Sequence, residues 1–430
     1  IGDLNGDGRN ELVVTTLRGQ LNVLDSHGAP FGGFPVTLGP LLCPAAALGK
    51  CAFAGALAAP VITSGPSGSR LVQADLTGRV HVMERNGTEL NGSPVDLRAP
   101  IVATPAVADL NDDGWPDIIA GSTAPDGVYW ISTGETSVGR NPLSQNLHAD
   151  GGEGELLYRQ GVVASPLLAN LDRTGEREII VRGAGGPLQV LNLRSRDSLL
   201  KFDSAQPQSI PVSAAVCDFD GTGLWQLTDL EGSNERYALG EWQAGAMLRS
   251  SQGRPSLGSV PLHGGFPVAL DDGPFLSGFV VADVDGDGSP EILFGGDRPL
   301  VYAVSANGLA PSGWPKQVPC GVAGNVTVGM MNNHLVVAAL SRCSELYAWS
   351  VTGVPESIQW DGFHHDPQNT GSTGTPLPPR KLKGIGIDNP PGPAKGCCTG
   401  APGTMDVGVI ALALIGIARL LRGRAPRSNR

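Results

Sequence analysis

Three nine-residue segments carry oxygen-bearing side chains at the same offsets. They hold Asp3, Asn5, Asp7 and Glu11; Asp109, Asn111, Asp113 and Asp117; and Asp283, Asp285, Asp287 and Glu291. Oxygen donors at positions 1, 3, 5 and 9, with Gly8, Gly114 or Gly288 at position 6 for a tight turn, suit a short loop that wraps a hard cation. Arg9, Trp115 and Ser289 at position 7 complete the three expected ligand sets, and the expected ion is Ca²⁺. A solvated Asp/Gly turn explains one such segment equally well, but it gives no reason for three in a single register.

The elements around these segments are strands. An EF-hand would need a Glu at position 12 and flanking helices, whereas position 12 here is Val14, Ala120 or Phe294. Each segment runs into a short apolar stretch (Leu12 to Thr15, Ile118 to Ala120, Ile292 to Phe294), and two follow one (Val107-Ala108 and Val280 to Ala282). Each loop is therefore expected to join two strands of a hairpin. Two degenerate copies, Asn170 to Glu178 and Asp218 to Gln226, keep Gly175 and Gly223 but lose charge at positions 1, 5 or 9. Weak or absent ion binding is expected there.

A second element recurs behind the loops: a strand, a small turn, then a Gly-Xaa-Pro step. It appears at Leu21 to Asp25 with Gly33-Phe34-Pro35, at Val80 to Glu84 with Gly92-Ser93-Pro94, and at Val301 to Ser305 with Gly313-Trp314-Pro315. Looser versions begin at Val128, Leu188, Tyr237 and Leu346. Leading strands near Val61, Ala106, Leu167, Val216, Val280 and Val328 recur at spacings of roughly 45 to 65 residues. Short strands repeated at that period predict an all-β fold, a seven-bladed β-propeller of four-stranded blades whose first blade is incomplete. The blades near Val61 and Val328 lack an acidic loop. Heavy turn usage, with 61 Gly and 35 Pro, fits one extended domain.

On these loops and steps, residues 1 to 371 resemble the FG-GAP/VCBS repeat family of calcium-loop propellers. The resemblance implies calcium in the loops; its members serve adhesion, sugar binding and accessory roles in enzymes, so it names no single function. The segment from Trp360 through Phe363-His364-His365-Asp366 to Gly371 is similar to closure elements that end such propellers.

Residues 372 to 396 change to Pro, Gly and Lys and are expected to form an extended linker. Residues 397 to 430 then combine Cys397-Cys398, a twelve-residue apolar run from Val407 to Ala418, and arginines at 419, 422, 424, 427 and 430. That run is short of the roughly 20 residues a spanning helix needs. The tail resembles the MYXO-CTERM sorting signal of myxobacteria, which implies that Cys397 or Cys398 is its cysteine and that the protein is exported to the cell surface, held at the membrane through this tail or secreted after processing. Cys43 with Cys51 and Cys320 with Cys343 are near enough in sequence to pair, an arrangement export permits. The start at Ile1, inside a loop motif, leads us to expect further sequence upstream.

Residues 380 to 430 hold nine basic and two acidic side chains, while the whole chain carries −11, so the repeat region is strongly acidic and a poor partner for nucleic acid. No nucleophile elbow, His-Glu-x-x-His, P-loop or Gly-x-Gly-x-x-Gly is present. The expected function is a non-catalytic, calcium-stabilised, surface-anchored propeller that binds an extracellular protein or polysaccharide. The alternative is the accessory propeller of a secreted enzyme such as a subtilisin-like protease, polysaccharide lyase or hydrolase. The long connection within residues 134 to 161, with His148, Asp150, Glu153 and Glu155, is the expected partner-binding loop.

Overall fold

Short runs of β-branched and aliphatic residues closed by Gly, Pro, Asn and Asp make strands too brief to stand alone, so each must bury both faces between neighbouring sheets. The computed structural model describes residues 1–39, 55–123, 127–141, 161–171, 173, 175–182, 188–192, 198–201, 213–219, 221–233, 236–244, 260–273, 277–331 and 334–373. Among the described residues the strands form seven antiparallel sheets in which consecutive strands are neighbours. Blade 1 holds β1 (Leu12–Thr15), β2 (Gln20–Leu24) and β3 (Val36–Thr37); blade 2 holds β4 (Val61–Gly65), β5 (Gly68–Ala74), β6 (Arg79–Glu84) and β7 (Val95–Asp96). Blade 3 holds β8 (Ala106–Ala108), β9 (Asp117–Gly121), β10 (Val128–Thr133) and β11 (Val138–Asn141); blade 4 holds β12 (Leu167–Ala169), β13 (Glu178–Arg182), β14 (Leu188–Asn192) and β15 (Ser198–Lys201). Blade 5 holds β16 (Ala215–Cys217), β17 (Gln226–Ser233), β18 (Arg236–Trp242) and β19 (Val268–Leu270). Blade 6 holds β20 (Val280–Ala282), β21 (Glu291–Gly295), β22 (Leu300–Val304) and β23 (Lys316–Gln317); blade 7 holds β24 (Thr327–Met331), β25 (His334–Leu340) and β26 (Leu346–Val351). This is the expected seven-bladed β-propeller.

Strand alternation ties the blades together. In β9, Ile118 packs toward blade 2 with Val72 and Val82, while its neighbour Ile119 packs toward blade 4 with Leu168 and Val181. Further apolar clusters join blade 1 to blade 2, blades 4 to 6, and blade 6 to blade 7. The Gly-Xaa-Pro steps carry cis peptide bonds at Phe34-Pro35, Ser93-Pro94 and Trp314-Pro315, and a fourth at Phe266-Pro267. In each case the outermost strand of the blade follows directly.

Blade 7 departs from the expected four strands. After β26 the chain turns at Gly353 into a single 3-10 turn (Pro355–Ser357) and then enters the centre of the ring instead of adding an outer strand. There it visits every blade in rotation. The Gln359 side chain accepts from Asp218 N and donates to Asp218 O in blade 5, and Trp360 pairs with Val281 in blade 6. Asp361 O accepts from Val328 N in blade 7, and Pro367 O from the Ile1 nitrogen leading into blade 1. Gln368 O accepts from Ile62 N in blade 2, Thr370 O from Val107 N in blade 3, and Gly371 O from Leu168 N in blade 4.

The two histidines belong to this central segment. They lie in a turn, with φ of 60° at His364 and 81° at His365. His364 contacts Asn369 O and Pro166 O at 2.8 and 2.7 Å, and burial holds its pKa below the usual imidazole value. His365 contacts Asp366 at 3.0 Å, and Asp366 also accepts from Gln368 N and Thr370 N.

A disulfide joins Cys320 to Cys343, with Cα atoms 5.8 Å apart, and Cys217 is a buried free thiol. Cys43, Cys51, residues 374 to 430 with Cys397 and Cys398, and the connection at 142 to 160 lie outside the described residues. Among the described residues no helix is long and apolar enough to cross a membrane.

Candidate metal centres on the acidic loops

The loops of blades 3 and 6 join the first and second strands of their blades, and that of blade 1 is closed by the Gly2–Glu11 bridge and runs into β1 in the same way, so all three open on one face of the ring. The loop shape is common to the degenerate copies as well. Positions 4 and 6 have positive φ throughout: Gly6 and Gly8, Asp112 and Gly114, Arg173 and Gly175, Gly221 and Gly223, Gly286 and Gly288. A turn of this kind points several backbone N–H groups inward, and the acidic side chains answer them.

Asp3 accepts from Gly6 N at 2.7 Å and Gly8 N at 2.8 Å; Asp109 accepts from Gly114 N at 2.9 Å; Asp283 accepts from Gly286 N at 2.6 Å and Gly288 N at 3.0 Å. At position 3, Asn5, Asn111 and Asp285 accept from the N–H of Asp7, Asp113 and Asp287 at 2.8, 3.0 and 3.2 Å. At position 5, Asp7, Asp113 and Asp287 accept from the N–H of Arg9, Trp115 and Ser289 at 2.8, 2.8 and 2.7 Å. These bonds fix the direction of the carboxylates and leave lone pairs facing the loop interior.

Position 9 does something further. Glu11, Asp117 and Glu291 turn beneath their loops and accept from the position-2 N–H of Leu4, Leu110 and Val284 at 2.8, 3.2 and 2.9 Å, and all three are at most 1 % exposed. Glu178 and Gln226 make the same bond to Leu171 and Phe219 in the degenerate loops. The cap therefore survives where the charge does not. Burial raises the carboxyl pKa of Glu291 to about 7 and that of Asp117 to about 6, and raises that of Glu11, with neighbouring loop carboxylates adding repulsion in each case.

The residues present fit a hard cation. In blade 6 the oxygens of Asp283, Asp285 and Asp287 all lie within 4.8 Å of one another, close enough for one divalent ion to bridge. In blade 3, Asp117 lies buried beneath its loop, where the Trp130 indole N–H and the Leu110 N–H partly offset the rise in carboxyl pKa that burial causes. In blades 1 and 3, Asn5 and Asn111 at position 3 donate to Asp7 and Asp113 at 3.0 Å and so soften the crowding. Asp285 has no such donor to offer, so in blade 6 positions 1, 3 and 5 are all carboxylates.

Contacts from other blades reach the loops, and the motif did not announce them. Ser69 Oγ donates to Asp3 O at 3.1 Å, Arg177 Nη1 to Asp109 O at 2.6 Å, and Asp283 N to Ser357 Oγ at 3.2 Å. In blade 5, Arg173 of the neighbouring degenerate loop stands 3.7 Å from Asp218, placing a guanidinium beside the position-1 carboxylate.

No family model and no curated protein matches the chain. Among solved structures it is similar to BamB from Moraxella catarrhalis, at 13 % identity over 80 % of this chain and 82 % of that one, with a TM-score of 0.46. It is similar to Saccharomyces cerevisiae Sqt1, at 12 % identity over 80 % and 82 %, with a TM-score of 0.47. It is similar also to the V. cholerae biofilm matrix protein Bap1, at 15 % identity over 83 % of this chain and 58 % of that one, with a TM-score of 0.38.

Proposed function

We propose that residues 1 to 371 form a calcium-stabilised binding propeller of the FG-GAP/VCBS type, tethered through a linker at 372 to 396 to a MYXO-CTERM-like tail at 397 to 430. The observation that carries the calcium reading is the blade 6 loop, where three carboxylates converge within 4.8 Å on a backbone already shaped to hold them. In blade 6 the ion would be held by Asp283, Asp285 and Asp287 with the Ser289 carbonyl and Glu291 beneath. Asp3, Asn5, Asp7, Arg9 and Glu11, and Asp109, Asn111, Asp113, Trp115 and Asp117, supply the corresponding sets in blades 1 and 3. Calcium supplies positive charge there and no chemistry; the loops stiffen one face of the ring. The inner ends of all seven blades are occupied by the chain's own residues 359 to 371, which leaves the loop faces and not the axis for a partner. The tail supports a surface-anchored role with an extracellular protein or polysaccharide as ligand.

Calorimetric melting of the full chain in excess EDTA and in millimolar Ca²⁺ tests the central claim. An ion that binds only the folded state at 100 times its dissociation constant adds about 2.7 kcal/mol. Superimposable melting curves would remove calcium from the proposal. Fractionation of the full chain and of a form ending at residue 396 tests the anchor: both in one soluble pool would remove it.

A further inference from the structure

Blade 2 has no acidic loop; Pro66 and Ser67 alone separate β4 from β5. Two adjacent residues of β5 nevertheless reach the ion loops on either side of it. Ser69 Oγ donates to the carbonyl of Asp3, position 1 of the blade 1 loop. Arg70, only 1 % exposed, points the other way, as neighbours on a strand do. Its Nη1 donates to Gly134 O at 2.8 Å and its Nη2 to Glu135 O at 2.6 Å, both in the turn between β10 and β11 of blade 3. Glu84 stands 3.4 Å from its Nε, and its guanidinium lies 4.1 Å from the centre of the Trp115 ring.

Trp115 is position 7 of the blade 3 loop, the position whose backbone carbonyl faces an ion in loops of this type. Its own N–H is bound to Asp113 Oδ1. The ring is also pressed against Gly65, which shares a sheet face with Arg70 and where a Cβ would come within 2.6 Å of the ring carbons. The indole thus packs against both a bare backbone and a buried cation, and the two bonds to Gly134 and Glu135 prevent that cation from swinging away. Arg suits this role: its flat guanidinium stacks on an aromatic face while donating in its own plane, which the Lys ammonium cannot do. Fixing the indole fixes the direction of the Trp115 carbonyl before any ion arrives, so less ordering remains to be done on binding.

We propose that Ser69 and Arg70 are positioning residues for the ion loops of blades 1 and 3, and that blade 2 acts as the strut between two calcium sites while holding none. This inference rests on the calcium reading above.

Calcium titration of the full chain by calorimetry, paired with Tb³⁺ emission excited through tryptophan, tests it. Arg70→Met is expected to weaken one site about tenfold or more, the range typical of groups that orient metal ligands, and to abolish the Tb³⁺ emission sensitised by Trp115. The other sites keep their affinity. Arg70→Lys is expected to fall between the two. Ser69→Ala is expected to weaken a different site and leave the Trp115-sensitised emission intact. If Arg70→Met lowers the melting temperature in EDTA but keeps every site's affinity and the Trp115 signal, Arg70 is interface packing and the inference is overturned. Should that variant fail to fold, Ser69→Ala decides, and unchanged affinity at all sites overturns the strut. A parent protein that takes up neither Ca²⁺ nor Tb³⁺ refutes instead the calcium reading beneath both.

Discussion

Replacing Glu291 with Gln keeps a side-chain oxygen for the Val284 N–H, as Gln226 already does for Phe219 in blade 5, and removes a carboxylate that burial holds at a pKa of about 7. The sign of the effect follows from that raised value. An unfolded Glu titrates near 4.5, so below that pH both states are protonated and the charge costs nothing. As pH climbs through about 7 the folded protein must ionise a group that the unfolded chain ionised earlier, and stability is lost. The interval from 4.5 to about 7, at roughly 1.4 kcal/mol per unit, sets a ceiling of about 3 kcal/mol. Burial of Glu291 is the main cause of the raised value, and the Asp285 that repels it is exposed, so screening leaves about 1–2 kcal/mol. In EDTA at pH 8, Glu291→Gln should therefore melt above the parent by on the order of 1–3 °C for a propeller of this size. The advantage should vanish near pH 4, and it should reverse in Ca²⁺, where the parent's carboxylate is matched by an ion. Scanning calorimetry at the two pH values, with and without calcium, reads all of these. A variant that melts below the parent in EDTA at pH 8 would refute the reasoning, because the cap and not the charge would then dominate.

Three other outcomes follow from groups elsewhere. His81 sits between Asp75 and Glu89 at 3.2 and 2.6 Å; burial opposes its charge, but the two carboxylates outweigh burial and raise its pKa, while burial of Asp75 is outweighed by its bonds to His81 and to the Arg79 N–H, which lower its pKa. His81 therefore stabilises fully below about pH 6.5 and loses that contribution as pH rises through its raised value, and Asp75 does so above about pH 3.8 and loses it as pH falls through its lowered one. His81→Ala should cost about 3–5 kcal/mol at pH 5 and visibly less at pH 9, by urea melts at both. Trp360→Ala, at a position 2 % exposed, should cost about 3–5 kcal/mol in the same assay, and a loss under 1 kcal/mol would show the central segment to be loosely packed. Replacing Cys320 and Cys343 by Ser reopens a link spanning 23 residues and should cost about 3 kcal/mol, measured against the oxidised parent.

The blade count was legible because every blade but the second and seventh carries an acidic loop or its remnant, and the third strands recur behind them in all seven. The Gly265-Phe266-Pro267 step escaped notice since its spacing from Tyr237 is stretched by the connection between them, yet it sets β19 just as its counterparts set β3, β7 and β23. The inward turn of position 9 could have been read from period two. Glu11 shares a face with Val13, and Glu291 with Leu293, both buried, so these carboxylates had to point under the loop. The missing fourth strand of blade 7 had no such signal: Gly353 and Pro355 mark a turn but not where the chain goes next. Arg70 was illegible for a different reason. A lone Arg in a strand reads as solvated until the neighbouring blade, and the bare backbone at Gly65, are known.

The order in which the central segment meets the blades is 5, 6, 7, 1, 2, 3, 4, one full circuit made by residues 359 to 371. Those residues are translated after every blade. A nascent chain emerges with its blades already able to stack on their neighbours, but the bond from Ile1 to Pro367 spans 366 positions and must wait for the last of them. Until then the stack is an arc with two free ends. Any step that needs an unfolded chain thus falls before the single event that turns the arc into a ring. A stop falling between residues 352 and 358 would leave seven blades and no axle.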